Sequence, residues 1–407
     1  MIPECHIVFF TLFRTDNPYS SISLSMAKEL AKTHRVIYVN HPYTWRDLLA
    51  GMRAGDEALR ERLQDLLAGR VRYEQLEAIP KNFVAVQPLL TMPINWLPKG
   101  RVYQYFQRRN NAIVLKAIAK ALRDQQVEDY IFINCYDPFY AGVLPKNMGA
   151  RLSIYHCIDD ITQNAYTDKH GTDLENAAIA QADVTLVTST NLQKLKTPFS
   201  DRVVTYFNAA EVANFHKVWS KKYPRPSELV GRTGRVIGFV GNLDALRIDY
   251  PLLKQVAEAY PQDTLLLVGP LNTPEIELDG LEKLPNVVLT GSRRLEELPP
   301  LLQYMDCVLI PFRCNTLTKS IYPLKINEYL AAGKAVVSTS FSDDIRGFAE
   351  YIYLAEDAAS LVEQIENALQ ENDPALVQKR INLADTNTWT ARIAQLWSIV
   401  EKFTPVK

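Results

Sequence analysis

Residues 322–339 read Tyr322-Pro-Leu-Lys-Ile-Asn-Glu-Tyr-Leu-Ala-Ala-Gly-Lys-Ala-Val-Val-Ser-Thr339, and this stretch decides the fold. It predicts a short helix between two strands. Pro323 suits the first helical position, where a missing N–H costs nothing, and Gly333 suits the residue just past the end. Ile326, Tyr329 and Leu330 fall at helical spacing, while Lys325 and Glu328 share another face near the start. Cys307–Pro311 is the strand before it and Ala335–Thr339 the strand after. A helix opening after a parallel strand presents orphan N–H groups and the positive end of its dipole, which together favour an anion. Lys325 in the first turn adds charge. An ordinary solvated Lys325–Glu328 pair explains the same residues, and the segment alone does not choose.

Outward from this stretch, short apolar runs alternate with helical patterns along most of the chain. His6–Phe10, Arg35–Val39, Phe83–Val86, Tyr130–Ile133, Arg151–Tyr155, Val184–Val187 and Arg202–Tyr206 read as strands. Lys217 to Gly234, rich in Pro and Lys, breaks the rhythm and reads as a linker. The alternation restarts at Arg235–Val240 and continues through Thr264–Val268, Asn286–Thr290, Cys307–Ile310, Ala335–Ser338 and Tyr351–Leu354. Strands separated by helices mean βαβ units and mainly parallel sheets. The expected class is α/β: two doubly wound Rossmann-like domains facing across a cleft, where such folds bind ligands at the carboxyl ends of their strands. The expected division is residues 1–216, a linker over 217–234, a second domain over 235–385, and a last helix over 386–407 packing back on the first domain.

The totals set limits. A chain of 407 residues favours two domains, and its net charge of −1 gives no global pull toward nucleic acid. Five cysteines without a CxxC pair fit reduced thiols and a cytoplasmic setting. The six histidines lack metal-ligand spacing, and no DxD triplet offers a carboxylate-held metal, so neither a metal nor another cofactor is expected. No leader or membrane-spanning run is expected. Trp45–Gln75 reads as a helical insertion, and Trp96–Arg109 mixes aromatic with basic residues. Either could meet a membrane surface at the inner face or an acceptor, or simply snorkel from a core face.

Gly238-Phe-Val-Gly241-Asn242, Val268-Gly269-Pro270 and Thr290-Gly291-Ser292-Arg293 end three strands in glycine, which lets a backbone approach phosphate closely. None forms GxGxxG, which disfavours a nicotinamide enzyme. Arg293 and Arg294 are ligand contacts or solvated turn residues. In the first half, Tyr155-His156-Cys157-Ile158-Asp159-Asp160 follows a strand. A carboxylate or His156 there could take a proton from a hydroxyl, while aspartates also cap helices. Thr11 to Asn17, with Arg14, follows the first strand, where an acceptor would approach.

Residues 322–339 closely resemble the nucleotide-binding segment of bacterial GT-B glycosyltransferases, PLKxxEYLAxGKPVVST. The order of Gly238–Gly241, Leu267–Pro270, Pro285–Gly291 and Asp306–Phe312 is similar to the same family. Thr188-Ser189, Phe207–Glu211 and Asp385–Trp389 resemble further elements of it. The resemblance implies that Lys325 contacts a donor diphosphate and Glu328 its ribose. It implies that Gly241 lies against the phosphates and that the backbone around Ser292, Arg293 and Leu295 holds the base, with Asn242 and Gly269 also in the nucleotide site. Tyr322 and Leu324 flank the same motif. Tyr155–Asp160 resembles the YxxxDD segment of relatives of the xanthan-type glucuronosyltransferases, which implies Asp159 as base with Asp160 behind it. Many retaining members carry two glutamates eight apart. Here Ser320 stands opposite Glu328, which speaks against a retaining mechanism. The expected function is metal-independent transfer of a sugar from a nucleotide sugar, UDP-linked, to a glycan, glycolipid or small-molecule hydroxyl in bacterial surface polysaccharide synthesis. A nucleotide-sugar epimerase on the same fold and a non-catalytic nucleotide-sugar-binding protein are the alternatives.

Overall fold

The computed structural model describes residues 5–16, 21–77, 79–272 and 280–404. The chain divides into two compact units. One comprises residues 1–188, 192–206 and 393–407, the other residues 189–191 and 207–392.

The first unit is an eight-stranded sheet. Its strands are β1 (His6–Thr11), β2 (Val36–Val39), β3 (Arg72–Glu74), β4 (Phe83–Gln87), β5 (Tyr130–Cys135), β6 (Leu152–Cys157), β7 (Val184–Val187) and β8 (Val203–Thr205). The spatial order is β3-β4-β2-β1-β5-β6-β7-β8. Every pairing is parallel except β3 with β4. β2 and β5 are buried at every residue, as expected of strands covered by helices on both faces. The order reverses between β1 and β5, so the crevice of this sheet lies outside the carboxyl ends of those strands.

The second unit is a six-stranded, all-parallel sheet of β9 (Val236–Val240), β10 (Thr264–Val268), β11 (Val287–Leu289), β12 (Cys307–Ile310), β13 (Ala335–Thr339) and β14 (Tyr353–Ala355). Its order, β11-β10-β9-β12-β13-β14, reverses between β9 and β12.

The expected helix of the deciding stretch is present as Leu324–Ala331. Pro323 is its N-cap rather than its first residue, and Gly333 adopts the left-handed φ of 68° just beyond it. Three features depart from expectation. Trp45–Gln75 holds two helices, Trp45–Ala54 and Glu57–Leu67, followed by the edge strand β3. The first unit ends at Tyr206 rather than 216, and residue 393 rather than 386 begins the return to it. Residues 217–234, the expected linker, belong to the second unit, with Val218 and Leu229 in its core. Gln303 Nε2 donates to the Val218 and Lys221 carbonyls, both at 2.6 Å, and the Tyr304 hydroxyl to that of Tyr223 at 2.7 Å. Those bonds satisfy backbone that would otherwise need water. No helix among the described residues is long and apolar enough to cross a membrane.

Candidate functional site

In the second unit the glycine-ended strands converge. Gly241 N donates to the Val268 carbonyl at 2.8 Å, and Gly269 N to the Gly291 carbonyl at 3.0 Å. The backbones pack so closely that a Cβ on Gly269 would sit 1.7 Å from the Gly241 oxygen. Gly269 also has a φ of +147°, outside the range of L side chains. Asn242 is exposed, and its Oδ1 accepts from Asn272 Nδ2 at 2.5 Å.

The helix Leu324–Ala331 follows β12 and stands at the β9/β12 reversal. Tyr329 fixes it there: its buried hydroxyl accepts from Val240 N at 2.8 Å, at the end of β9. Ile326 and Leu330 are fully buried, so the opposite face carries Lys325 outward. Lys325 Nζ lies 2.8 Å from a Glu328 carboxylate oxygen. Its Cε would touch a Cβ on Gly241 at 3.5 Å, which puts the lysine stem beside that glycine. No side chain caps the helix, so its first N–H groups and the lysine share one end. Lys325, Glu328, Gly241, Asn242, Gly269 and the Gly291–Ser292 turn are thus gathered at one edge.

The remaining donor-side residues are placed differently. Arg293 is neither free nor merely solvated, because its guanidinium pairs with Glu228, in residues expected to be linker. The Glu228 carboxyl is held below its usual range, first by its own backbone N–H and then by neighbours including Ser227 and Arg293. The Leu295 carbonyl accepts from Asn214 Nδ2 at 2.7 Å. Tyr322 is buried, stacked on Phe207 with centroids 4.8 Å apart, so its side chain serves the core. Leu324 is half-buried. Ser320, at the position of the first glutamate of retaining members, is buried and accepts from Asn191 Nδ2 at 2.8 Å.

In the first unit the expected catalytic set separates. β6 runs on to Cys157, which draws His156 inside the sheet: it is fully buried, 3.5 Å from Cys135 Sγ, and burial lowers its pKa to about 4. A side chain so enclosed does not meet an acceptor, and His156 leaves the set. Asp160 caps the turn Ile161–Gln163, accepting from Thr162 N at 3.2 Å and Thr162 Oγ1 at 2.8 Å. Asp159 is half-buried, near enough to Tyr136 that its charge, after burial, raises that phenol's pKa. Thr11 is fully buried and bonded to Ser23 Oγ at 3.0 Å, so it is not an acceptor contact. Arg14 is partly exposed, 3.3 Å from Asp16 and over the Tyr43 ring.

Sequence reasoning missed a pair here. His41, just past β2, places Nδ1 2.6 Å from Oδ2 of Asp137, just past β5. Polar residues preceding a proline at two strand ends, Asn40-His41-Pro42 and Asp137-Pro138, were the only signal. No group of three or more potential metal ligands occurs among the described residues.

Residues 234–371 match the family model described as glycosyl transferases group 1. The chain carries a group 1 glycosyl transferase domain on a GT-B fold. A Bacillus subtilis (strain 168) protein bearing the name teichuronic acid biosynthesis glycosyltransferase TuaH is 30% identical over 210 residues. That match covers 50% of this chain and 52%, about half, of the relative. Among solved structures, the E. coli trehalose-6-phosphate structure bound with UDP-2-fluoro glucose superposes with a TM-score of 0.68 at 12% identity, covering 99% of both chains. HepE of Anabaena, in complex with UDP and glucose, gives 0.62 at 14% identity over 97% of this chain and 99% of that one. Sucrose-phosphate synthase from Thermosynechococcus elongatus gives 0.64 at 13% over 98% and 99%. At such identities these likenesses concern the fold.

Proposed function

We propose that the protein transfers a sugar from a UDP-linked nucleotide sugar to a hydroxyl of a glycan or glycolipid in bacterial surface polysaccharide synthesis. The observation that carries this is Lys325 beside Gly241, at the uncapped helix end where the strand order of the second unit reverses. There the lysine and the orphan N–H groups meet the diphosphate and stabilise its growing charge as the sugar departs. Glu328, now paired with Lys325, turns to the ribose hydroxyls. The positive charge supplied by Lys325 and the helix end removes the need for a metal. The name of the B. subtilis relative supports the polysaccharide setting, and the UDP complexes of HepE and the E. coli structure support the donor.

Calorimetric titration with UDP, GDP, TDP and ADP tests the reading. UDP is expected to bind most tightly. Lys325→Ala removes a charge-assisted hydrogen bond of about 1.5–3 kcal/mol, a loss of roughly 10- to 160-fold. Uridine, lacking phosphate, should lose less than threefold. A native chain that binds none of the four nucleotides refutes the donor site.

A membrane-surface contact has its own support. Trp45, Leu49 and Met52 are 44%, 58% and 51% exposed on one helix, with Arg46 and Arg53 beside them. Flotation with vesicles containing anionic lipid should recover the native chain but lose Trp45→Ala/Leu49→Ala. Absence of native flotation removes this contact. The five unpaired cysteines fit a cytoplasmic setting for both activities.

A further inference from the structure

We infer that the cavity lined by His41, Arg46, Trp96 and Lys169 holds the acceptor, and that this acceptor is a membrane lipid bearing its sugar on a phosphate. The inference rests on the glycosyl-transfer reading above.

The cavity measures about 730 Å³ and belongs to the first unit alone. It sits at the strand ends of that unit: Leu12 follows β1, His41 follows β2, and Phe139 and Tyr140 follow β5. These strands flank the order reversal, where an open parallel sheet leaves room for a ligand. Small-molecule sites usually enclose about 300–1,000 Å³. One wall is firmly held. Asp137 is fully buried, its Oδ1 accepts from Phe139 N at 3.0 Å and Tyr140 N at 3.2 Å, and its Oδ2 meets His41 Nδ1 at 2.6 Å.

The lining is cationic. Arg14, Arg46 and Lys169 stand against Asp47, the single carboxylate among the described lining residues. Asp47 is engaged at the start of the helix Trp45–Ala54, accepting from Thr44 N at 2.8 Å and Thr44 Oγ1 at 2.9 Å. Arg14 is held by Asp16 at 3.3 Å and lies over the Tyr43 ring. Lys169 gives one of its three N–H bonds to the Trp96 carbonyl, at 3.0 Å. Arg46 is exposed, with no carboxylate partner among the described residues. Arg46 and Lys169 therefore keep their charge for an anion.

The mouth is apolar. Trp96 and Tyr166 line the cavity yet are 74% and 66% exposed, and Met92, also in the lining, is 46% exposed. They are held in place. Asn95 Nδ2 donates to the Tyr166 carbonyl at 2.9 Å, and Trp96 Nε1 to the Pro93 carbonyl at 2.9 Å. The Lys169 bond ties the same segment to the helix Ala165–Gln181. An indole whose N–H is already satisfied offers only its apolar face. Thr44, Arg46 and Asp47, in the cavity wall, begin the helix whose Trp45, Leu49 and Met52 are turned to solvent. The surface proposed to meet the membrane thus runs up to the cavity. A ligand entering from a lipid surface lays its apolar chain along the mouth and its charge between Arg46 and Lys169. A neutral sugar leaves the cations unused, and a free anion leaves the exposed rings uncovered. A phosphate joining lipid to sugar meets both.

Calorimetry on the full chain uses geranyl diphosphate, geraniol and inorganic diphosphate. Each is titrated with excess UDP present and again in Lys325→Ala, so that diphosphate at the donor site is not counted. Geranyl diphosphate is expected to bind about tenfold or more tighter than either fragment, since the apolar chain and the charge both contribute. Arg46→Gln and Lys169→Gln should each weaken it about fivefold or more and leave geraniol within about twofold, while Trp96→Ala should weaken both geranyl ligands. Lys116→Gln, in a separate cavity of the same unit, is the control and should stay within about twofold of native. Arg46, Trp96 and Lys116 are exposed, so their substitution spares the fold, and they decide even if Lys169→Gln does not fold. Geranyl diphosphate bound no more tightly than geraniol means that no phosphate is read; bound no more tightly than inorganic diphosphate, that no lipid is. Either result overturns the proposal, as does a loss with Lys116→Gln and not with Arg46→Gln. Failure of the donor reading is told apart by a chain that binds geranyl diphosphate and no UDP.

Discussion

Gly269→Ala should cost far more than an ordinary glycine substitution, because three backbones meet at that residue. A Cβ there would lie 1.7 Å from the Gly241 oxygen and 2.7 Å from its carbonyl carbon. Ordinary contact begins at 3.4 Å, so the strand ends must part by more than 1 Å on the order of a bond length. That motion breaks the Gly241 N to Val268 O bond and the Gly269 N to Gly291 O bond, of 2.8 and 3.0 Å. Each is worth about 0.5–1.5 kcal/mol, and forcing alanine to a φ of +147° adds about 1–3 kcal/mol. The sum is about 2–6 kcal/mol. Gly291→Ala is the control: its φ is +71° and nothing lies within 4 Å of the added methyl, so it should cost only about 1–2 kcal/mol. Urea denaturation followed by circular dichroism measures both. Calorimetry with UDP then reads the site, where displacement of Gly241 should weaken binding at least tenfold in folded Gly269→Ala and leave Gly291→Ala within about threefold. Equal stabilities for the two variants, or native UDP affinity in Gly269→Ala, would refute the argument that this packing shapes the donor site.

Three further outcomes follow from buried charge. His156 binds fewer protons folded than unfolded between its pKa of about 4 and its ordinary 6.5, so stability falls as pH drops through that window. The loss should reach about 2 kcal/mol at pH 5 relative to pH 7.5, and comparing urea midpoints of native protein and His156→Leu at both pH values should show it only in the native chain. Lys196 Nζ lies 2.7 Å from Glu175, which is fully buried and also accepts from the Tyr155 hydroxyl. Lys196→Met should therefore cost about 3–5 kcal/mol in urea, with part recovered in Glu175→Gln/Lys196→Met, since breaking one side leaves a buried charge unpaired. Glu328→Gln frees Lys325 from its partner, so UDP affinity should fall less than in Lys325→Ala, while selectivity for UDP over deoxy-UDP should shrink if the carboxylate holds the ribose; unchanged selectivity in calorimetry would remove that role.

What could be read from the sequence was local. Strands such as Thr264–Val268 announce themselves because both faces are covered and every residue is apolar or small. The donor edge was legible because Lys325 and Glu328 sit on one helical turn and each glycine ends its own strand. Misreadings arose where distant residues decide the outcome. β3 is only Arg-Tyr-Glu, with no apolar alternation, and becomes a strand through its antiparallel pairing with β4. Residues 217–234 have a linker's composition, yet Gln303 and Tyr304 satisfy their backbone from some 80 residues away. His156 was placed beyond a strand taken to end at Tyr155; two more residues of pairing with β5 and β7 reverse its meaning, from a group facing substrate to one enclosed in the core.

The His41–Asp137 pair shows the same limit at its strongest. The two residues are 96 positions apart, and no helical or strand period relates them. What relates them is strand order: β2 and β5 flank β1 only because the chain turns back at the reversal. A motif search finds residues that act together within one element, as in Leu324–Ala331. Residues joined by topology become visible only when the sheet is assembled. The carboxyl ends of strands flanking each reversal are therefore where a polar residue that looks incidental in sequence has the strongest claim to chemistry.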